Sequence, residues 1–230
     1  MKYRQIEKAV FLSRPNRFIA KVILNGKEET VHVKNTGRCK ELLTKGCAVY
    51  LEKGGNPLRK TAYDLVAVEK ELESGARLVN MDSTLPNAVA AEWLPGSGLF
   101  SPSAKIRREV TFGASRFDLY VEDGERRAFM EVKGVTLEVD GIAMFPDAPT
   151  ERGIKHLREL SEAVKQGYEG YLLFVVQMKG IREVRPNDDT HAAFGAALRE
   201  AAAAGVKVLA VDCLAWPNEV RIDRLLPVVL

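Results

Sequence analysis

Cysteine is scarce in this chain: Cys39, Cys47 and Cys213 are the only three in 230 residues. An odd number with no Cys-x-x-Cys spacing argues against a disulfide framework and against a structural zinc site, and makes a reducing cytoplasm the expected location. There are only two tryptophans, and no evident sugar platform supports a carbohydrate-binding role. No run approaches the roughly 18 apolar residues that span a bilayer, and Met1-Lys2-Tyr3-Arg4-Gln5 lacks the apolar stretch of a secretory signal. Internal repeats and low-complexity segments are absent too. What remains is a globular composition, 46% hydrophobic and 28% charged, in a chain long enough for one large domain or two small ones.

The net charge of +3 hides an asymmetry. Residues 1–60 hold 14 Lys or Arg against 5 Asp or Glu, a balance of +9, which leaves −6 for the rest. A basic module joined to a mildly acidic one suggests that the first part meets a polyanion, although a solvated Lys/Arg surface explains the charge equally well.

Residues 1–80 read as β-rich. The runs 17–24 and 28–34 flank Asn25-Gly26, a strong hairpin signal. Further strands are expected at 49–52 and 61–68 around a Gly54-Gly55-Asn56-Pro57 loop, and 39–44 is helix-compatible. This pattern fits an OB-type small β-barrel, and an SH3-like barrel gives much the same one. Residues 81–230 have another texture. A helix is expected at 84–94, then strands at 107–112, 116–121 and 127–132. Residues 150–166 form a clear amphipathic helix with Ile154, Leu157, Leu160 and Val164 on one face and Gly167 as its stop. An apolar run at 171–177, an Ala-rich helix at 189–204 and a strand at 206–211 complete an α/β sheet with crossovers.

The chemistry concentrates in Arg116-Phe117-Asp118-Leu119-Tyr120-Val121 and Ala128-Phe129-Met130-Glu131-Val132-Lys133. A symmetric turn at Asp123-Gly124 sets Asp118 opposite Phe129 and Glu131 one diagonal step away, roughly 7–8 Å between backbones. Alternation then puts Asp118, Glu131 and Lys133 on one face, and Phe117, Leu119, Val121, Ala128, Met130 and Val132 on the other. Two carboxylates side by side are costly without a cation. Mg²⁺ or Mn²⁺ resolves that cost and leaves coordination positions for water and phosphate, so the triad fits phosphodiester hydrolysis, with Lys133 orienting the water or stabilising charge. The plainer reading is a surface ion pair on a solvated sheet. Beyond the hairpin, the polar start of the amphipathic helix, with Arg152 and Lys155, can hold a phosphate.

The stretches Glu131-Val132-Lys133-Gly134-Val135-Thr136-Leu137 and 145–160 (Phe145-Pro146-Asp147 through Leu160) closely resemble the sugar fermentation stimulation protein family, SfsA. So do Asn35-Thr36-Gly37-Arg38, Glu109-Val110-Thr111-Phe112-Gly113 and the ending Leu226-Pro227-Val228-Val229-Leu230. The resemblance implies an N-terminal OB-like domain and a C-terminal domain similar to PD-(D/E)xK nucleases, a restriction-endonuclease-like α/β sheet. It also implies DNA binding with little sequence preference and a role in regulating sugar, particularly maltose, utilisation. By position Asp118 matches the acid of the second core strand and Glu131 and Lys133 match the E-x-K, while Glu92 is a weaker match to the helical acid. Phe117 stands where the nominal motif has proline, and Asp147 is outside the motif but able to line the pocket.

Arg14, Arg17, Arg38 and Lys40 are the candidate phosphate contacts of the barrel, joined in the second domain by Arg152, Lys155 and His156. Phe18 and Tyr50 are candidate stacking residues, with barrel core as the plainer role. His32 and His191 read as structural, and Cys39 as an inert thiol. The expected partner is nucleic acid, DNA ahead of RNA, with no membrane and a homodimer left open. Two functions stay open: a Mg²⁺- or Mn²⁺-dependent nuclease, and a non-catalytic DNA-binding regulator on a nuclease scaffold.

Overall fold

A computed structural model describes all residues except Thr36, Pro57 and Ser74. The Asn35-Thr36-Gly37-Arg38 and Gly54-Gly55-Asn56-Pro57 motifs therefore each lie partly outside the described residues.

The basic N-terminal part is a six-stranded sheet of β1 (Ile6–Asn16), β2 (Ile19–Leu24), β3 (Lys27–Val33), β4 (Ala48–Lys53), β5 (Tyr63–Leu72) and β6 (Gly75–Asn80), ordered β3-β2-β1-β4-β5-β6. Asn25 and Gly26 both adopt positive φ, 50° and 77°, as a two-residue hairpin turn requires. A parallel pairing of β3 with β5, His32 to Asp64 and Val33 to Leu65, closes the sheet into a barrel. Period-2 alternation fills the interior with Val22, Val31, Val49, Leu51, Leu65 and Val68, all fully buried. This is an OB domain. Between β3 and β4 the helix expected at 39–44 does not form. Leu42 and Leu43 both donate to the Cys39 carbonyl in a single turn, and Cys39 sits at φ 45°, which no helix tolerates.

The C-terminal part is built on a second six-stranded sheet. Its strands are β7 (Lys105–Phe112), β8 (Ser115–Asp123), β9 (Arg126–Val135), β12 (Glu169–Val176), β14 (Lys207–Trp216) and β15 (Glu219–Leu226), ordered β15-β14-β12-β9-β8-β7. β9–β12 and β12–β14 are parallel, and helices α2 (Glu151–Lys165) and α3 (Asp188–Ala203) make the crossovers. β12 is central and covered on both faces, which explains its unbroken apolar run. Tyr171, Leu173 and Val175 pack toward α1 (Leu85–Trp93), and Leu172, Phe174 and Val176 toward α2 and α3. Burying one such side chain contributes about 1.5–3 kcal/mol. A small sheet of β10 (Glu138–Val139), β11 (Ile142–Phe145) and β13 (Glu183–Pro186) carries the Phe145-Pro146-Asp147 segment.

Between the two sheets, Asn80 N–H donates to Gln177 O at 2.9 Å, and Gln177 Nε2 returns bonds to the carbonyls of Asn80 and Asp82. Lys70 and Arg77 of the barrel converge on buried Glu138 at 2.7 and 3.0 Å. Among the described residues no helix is long and apolar enough to cross a membrane.

Candidate functional site

The β8–β9 hairpin turns one residue later than its sequence suggests. Its last pair is Asp123 with Arg126, so Gly124 and Glu125 form the loop and Gly124 takes the φ of 61° that a type II′ turn needs at its first position. The register moves by two, so continuing it sets Asp118 opposite Glu131 rather than Phe129. A shift of two keeps each residue on its face, because strand side chains alternate with a period of two.

At that position the ladder opens. The pairing of β8 with β9 stops at Leu119–Met130, and on the other flank Glu109 of β7, which faces Asp118, has φ 58°. Asp118 replaces the missing backbone partner: its Oδ2 accepts from Val132 N–H at 2.8 Å, and its Oδ1 accepts from Asn87 Nδ2 of α1 at 2.6 Å. The same distortion overturns the expected placement of Phe117. Its ring joins Phe129 and His156 on the α2 face, 5.4 and 6.1 Å away, while Leu119, Val121, Ala128, Met130 and Val132 pack on the α1 face as expected.

Glu131 is buried, 3% exposed. Its Oε1 accepts from Lys133 Nζ at 2.5 Å and is paired with His156 Nδ1. His156 Nε2 accepts from Arg152 Nε at 3.3 Å, so the ring proton sits on Nδ1 and faces Glu131. Glu131 Oε2 is buried with no hydrogen-bond partner. Burial raises the Asp118 carboxyl above its ordinary value, and the Glu131 charge adds to the rise. Burial pushes Glu131 the same way, but His156 and Lys133 outweigh it and hold Glu131 below the ordinary value. One buried carboxylate is thus held charged while its neighbour resists ionisation.

Other expected residues fall elsewhere. Glu92, near the far end of α1, is exposed and pairs with the Met1 amino group at 2.6 Å. Asn87, five residues closer to the start of α1, reaches Asp118 instead. It was legible only as a polar residue in an apolar helix. His156 is too buried to meet a phosphate, since its two nitrogens are spent on Glu131 and Arg152. Arg152 and Lys155 are exposed at the start of α2, but Lys155 Nζ donates to Ala114 O at 2.7 Å and Thr150 Oγ1 already caps Gly153 N–H.

In the barrel, Arg14, Arg17, Arg38 and Lys40 do converge on one cleft of about 420 Å³. Arg14 is a strut there: its guanidinium donates to the carbonyls of Arg17, Asn35, Gly37 and Arg38 at 2.6–2.9 Å. Phe18 is not core. It is 44% exposed, with the Arg17 guanidinium 4.7 Å from its ring centroid. Tyr50 is tied to Glu69. Burial raises the Cys39 thiol to about 12, so it is inert. His32 pairs with Asp64 at 2.9 Å, and His191 Nδ1 accepts from Thr150 N–H.

A second cleft of about 300 Å³ lies between the domains, and Asp147 lines it with Asn35, Gly37, Thr136 and Gln177. It adjoins the carboxylate site through Gly134, next to Lys133, and Pro86, next to Asn87. Gly134 is required there, because a Cβ would stand 2.6 Å from Gln177 Oε1 and 2.7 Å from Pro86 Cγ. The arrangement offers one free buried carboxylate oxygen, a second carboxylate, and a lysine beside a cleft. Asp118 and Glu131 are the residues able to hold a hard cation, and among the described residues no group of three His, Cys, Asp or Glu does so.

Comparison with known proteins agrees with this layout. Residues 84–219 match the model of the sugar fermentation stimulation protein RE domain, and residues 12–81 that of the SfsA N-terminal OB domain. A sugar fermentation stimulation protein homolog of Desulfitobacterium hafniense is 58% identical over 93% of this chain and 91% of its own length. One from Ruminiclostridium cellulolyticum is 48% identical over 97% of each. The solved structure of Pyrococcus furiosus SfsA in complex with Ca²⁺ has a TM-score of 0.86 and 26% identity, covering 100% of this chain and 98% of that one. With both of its domains matched in order, this chain belongs to the SfsA family.

Proposed function

We propose that this chain binds nucleic acid in the barrel cleft and hydrolyses a phosphodiester at Asp118, Glu131 and Lys133, with Mg²⁺ or Mn²⁺ as cofactor. The observation that carries this reading is the buried, unpartnered Oε2 of Glu131, a carboxylate whose charge also acts on Asp118. Leaving such an atom unsatisfied costs about 1–3 kcal/mol or more, and a hard cation with oxygen preference removes the cost. The Ca²⁺ of the P. furiosus relative is a cation of that class.

A divalent cation held by Asp118 and Glu131 would supply Lewis-acid polarisation of the phosphodiester and a water of lowered pKa. The chain's own groups do the rest. Val132 N–H and Asn87 fix the Asp118 carboxylate, and His156 fixes that of Glu131. Lys133, half-buried and paired with Glu131, carries its charge to where negative charge develops on the phosphoryl oxygens. Arg17, Arg38 and Lys40 position the strand without reading its sequence. Through this activity the chain would act on sugar utilisation, including that of maltose.

The second reading, a DNA-binding regulator that does not cut, is favoured by the internal bonds already made by both Asp118 oxygens. A labelled-oligonucleotide cleavage assay separates the two. Hydrolysis in Mg²⁺ or Mn²⁺ that is lost in Asp118→Ala supports the nuclease; binding without products in any metal leaves the regulator.

A further inference from the structure

We infer that the substrate strand is unpaired, and that Phe18 stacks on one of its bases at the rim of the barrel cleft. This deepens the nucleic-acid reading above and rests on it. Exposed apolar side chains are ordinary when scattered, but Phe18 is placed. It occupies the β1–β2 turn, is 44% exposed, and is backed by the Arg17 guanidinium at 4.7 Å. Arg17 also lines the cleft that holds Arg38 and Lys40. A ring with a cation beside it and phosphate-binding charge next to it presents a π-face to a base, and that face is within reach only when the base is out of a duplex.

The basic cleft and the inter-domain cleft share a wall at Gly37. A Cβ there would collide with the Asp147 carboxylate. The two domains therefore touch at that point. Past it, the described lining of the second cleft includes Asp147 and no Lys or Arg, so the wall repels phosphate and offers hydrogen-bonding groups such as Asn35, Thr136 and Gln177. A single strand satisfies both halves, with its backbone along the basic cleft and a base turned into the polar one. Trp216 provides the contrast. It is 41% exposed under Arg221 at 5.5 Å but is not among the described residues that line these two clefts.

The test is binding of the full chain, in EDTA, to oligo-dT, oligo-U and a duplex of matched length. The expected result is a preference for single strands. Phe18→Ala should then weaken single-strand binding by about five- to 150-fold and leave duplex binding unchanged, with Phe18→Tyr restoring affinity and Trp216→Ala having no effect. Whichever of oligo-dT and oligo-U binds tighter supports the proposal and names the backbone. Equal binding of duplex and single strand by the wild type, or a Phe18→Ala chain that binds oligo-dT and oligo-U undiminished, overturns it while leaving the nucleic-acid reading intact. Failure to bind any probe overturns both.

Discussion

His156 and Lys133 share one oxygen of Glu131, and the other oxygen of that carboxylate is buried without a partner. The bonds fix the rotamer and leave Oε2, with its lone pairs, for an incoming ligand. A histidine on α2, 25 residues away in sequence, thus positions a carboxylate on β9.

Removing that support should loosen the ligand. His156→Ala is expected to weaken Mn²⁺ binding about 10–100-fold, and His156→Asn, whose amide can still donate toward Glu131, to recover part of the loss. Calorimetric titration with the fold monitored by circular dichroism checks this. Unchanged affinity in the alanine variant removes His156 from the site.

The two carboxylates give opposite pH signs. Glu131 is held below its unfolded value, so its stabilising contribution is present above that value and lost as pH falls through the folded one. Asp118 is raised, so in the metal-free protein its ionisation costs stability, increasingly as pH rises from the unfolded to the folded value. Because a ligand carboxyl must be deprotonated, Mn²⁺ affinity should collapse on acidification at a pH above the ordinary aspartate value of about 3.9. Affinity that persists to that value and below contradicts the account.

Gly134→Ala should destabilise the chain by about 1–3 kcal/mol, the usual cost of overpacking, since the new methyl meets Gln177 and Pro86. A lowered thermal midpoint checks it. An unchanged midpoint would mean that the inter-domain cleft yields freely.

The barrel cations should separate by role. Arg38→Ala or Lys40→Ala is expected to reduce the salt slope of nucleic-acid binding by about 0.7–0.9 each with little change in stability. Arg14→Ala frees four loop carbonyls and should lower the thermal midpoint. Equal slopes in wild type and Arg38→Ala would mean that the cleft does not hold phosphate.

Much of this was legible from residues alone. The amphipathic period of α2, the apolar run of β12 and the Asn25-Gly26 turn are local signals with one physical solution each. Strands β1 and β15 were not legible, because both carry mixed or largely exposed patterns and owe their place to pairing. The triad was visible as a cluster on one hairpin, but the opening of the ladder at Asp118, which turns Phe117 to the α2 face, was not, because nothing in an alternating strand pattern marks it. Asn87 and His156 were beyond sequence as supports for the carboxylates, since each reaches its carboxylate across a sheet-to-helix contact. Arg14 shows the limit of charge counting: a guanidinium filled by carbonyls and one open to solvent look alike in a sequence.

Titration of Mn²⁺ into the wild type and into Asp118→Ala/Glu131→Ala, followed by calorimetry, tests the central claim most directly. The account predicts a single site in the wild type that is absent from the double variant. Equal heats from both proteins, or none from the wild type, would contradict it.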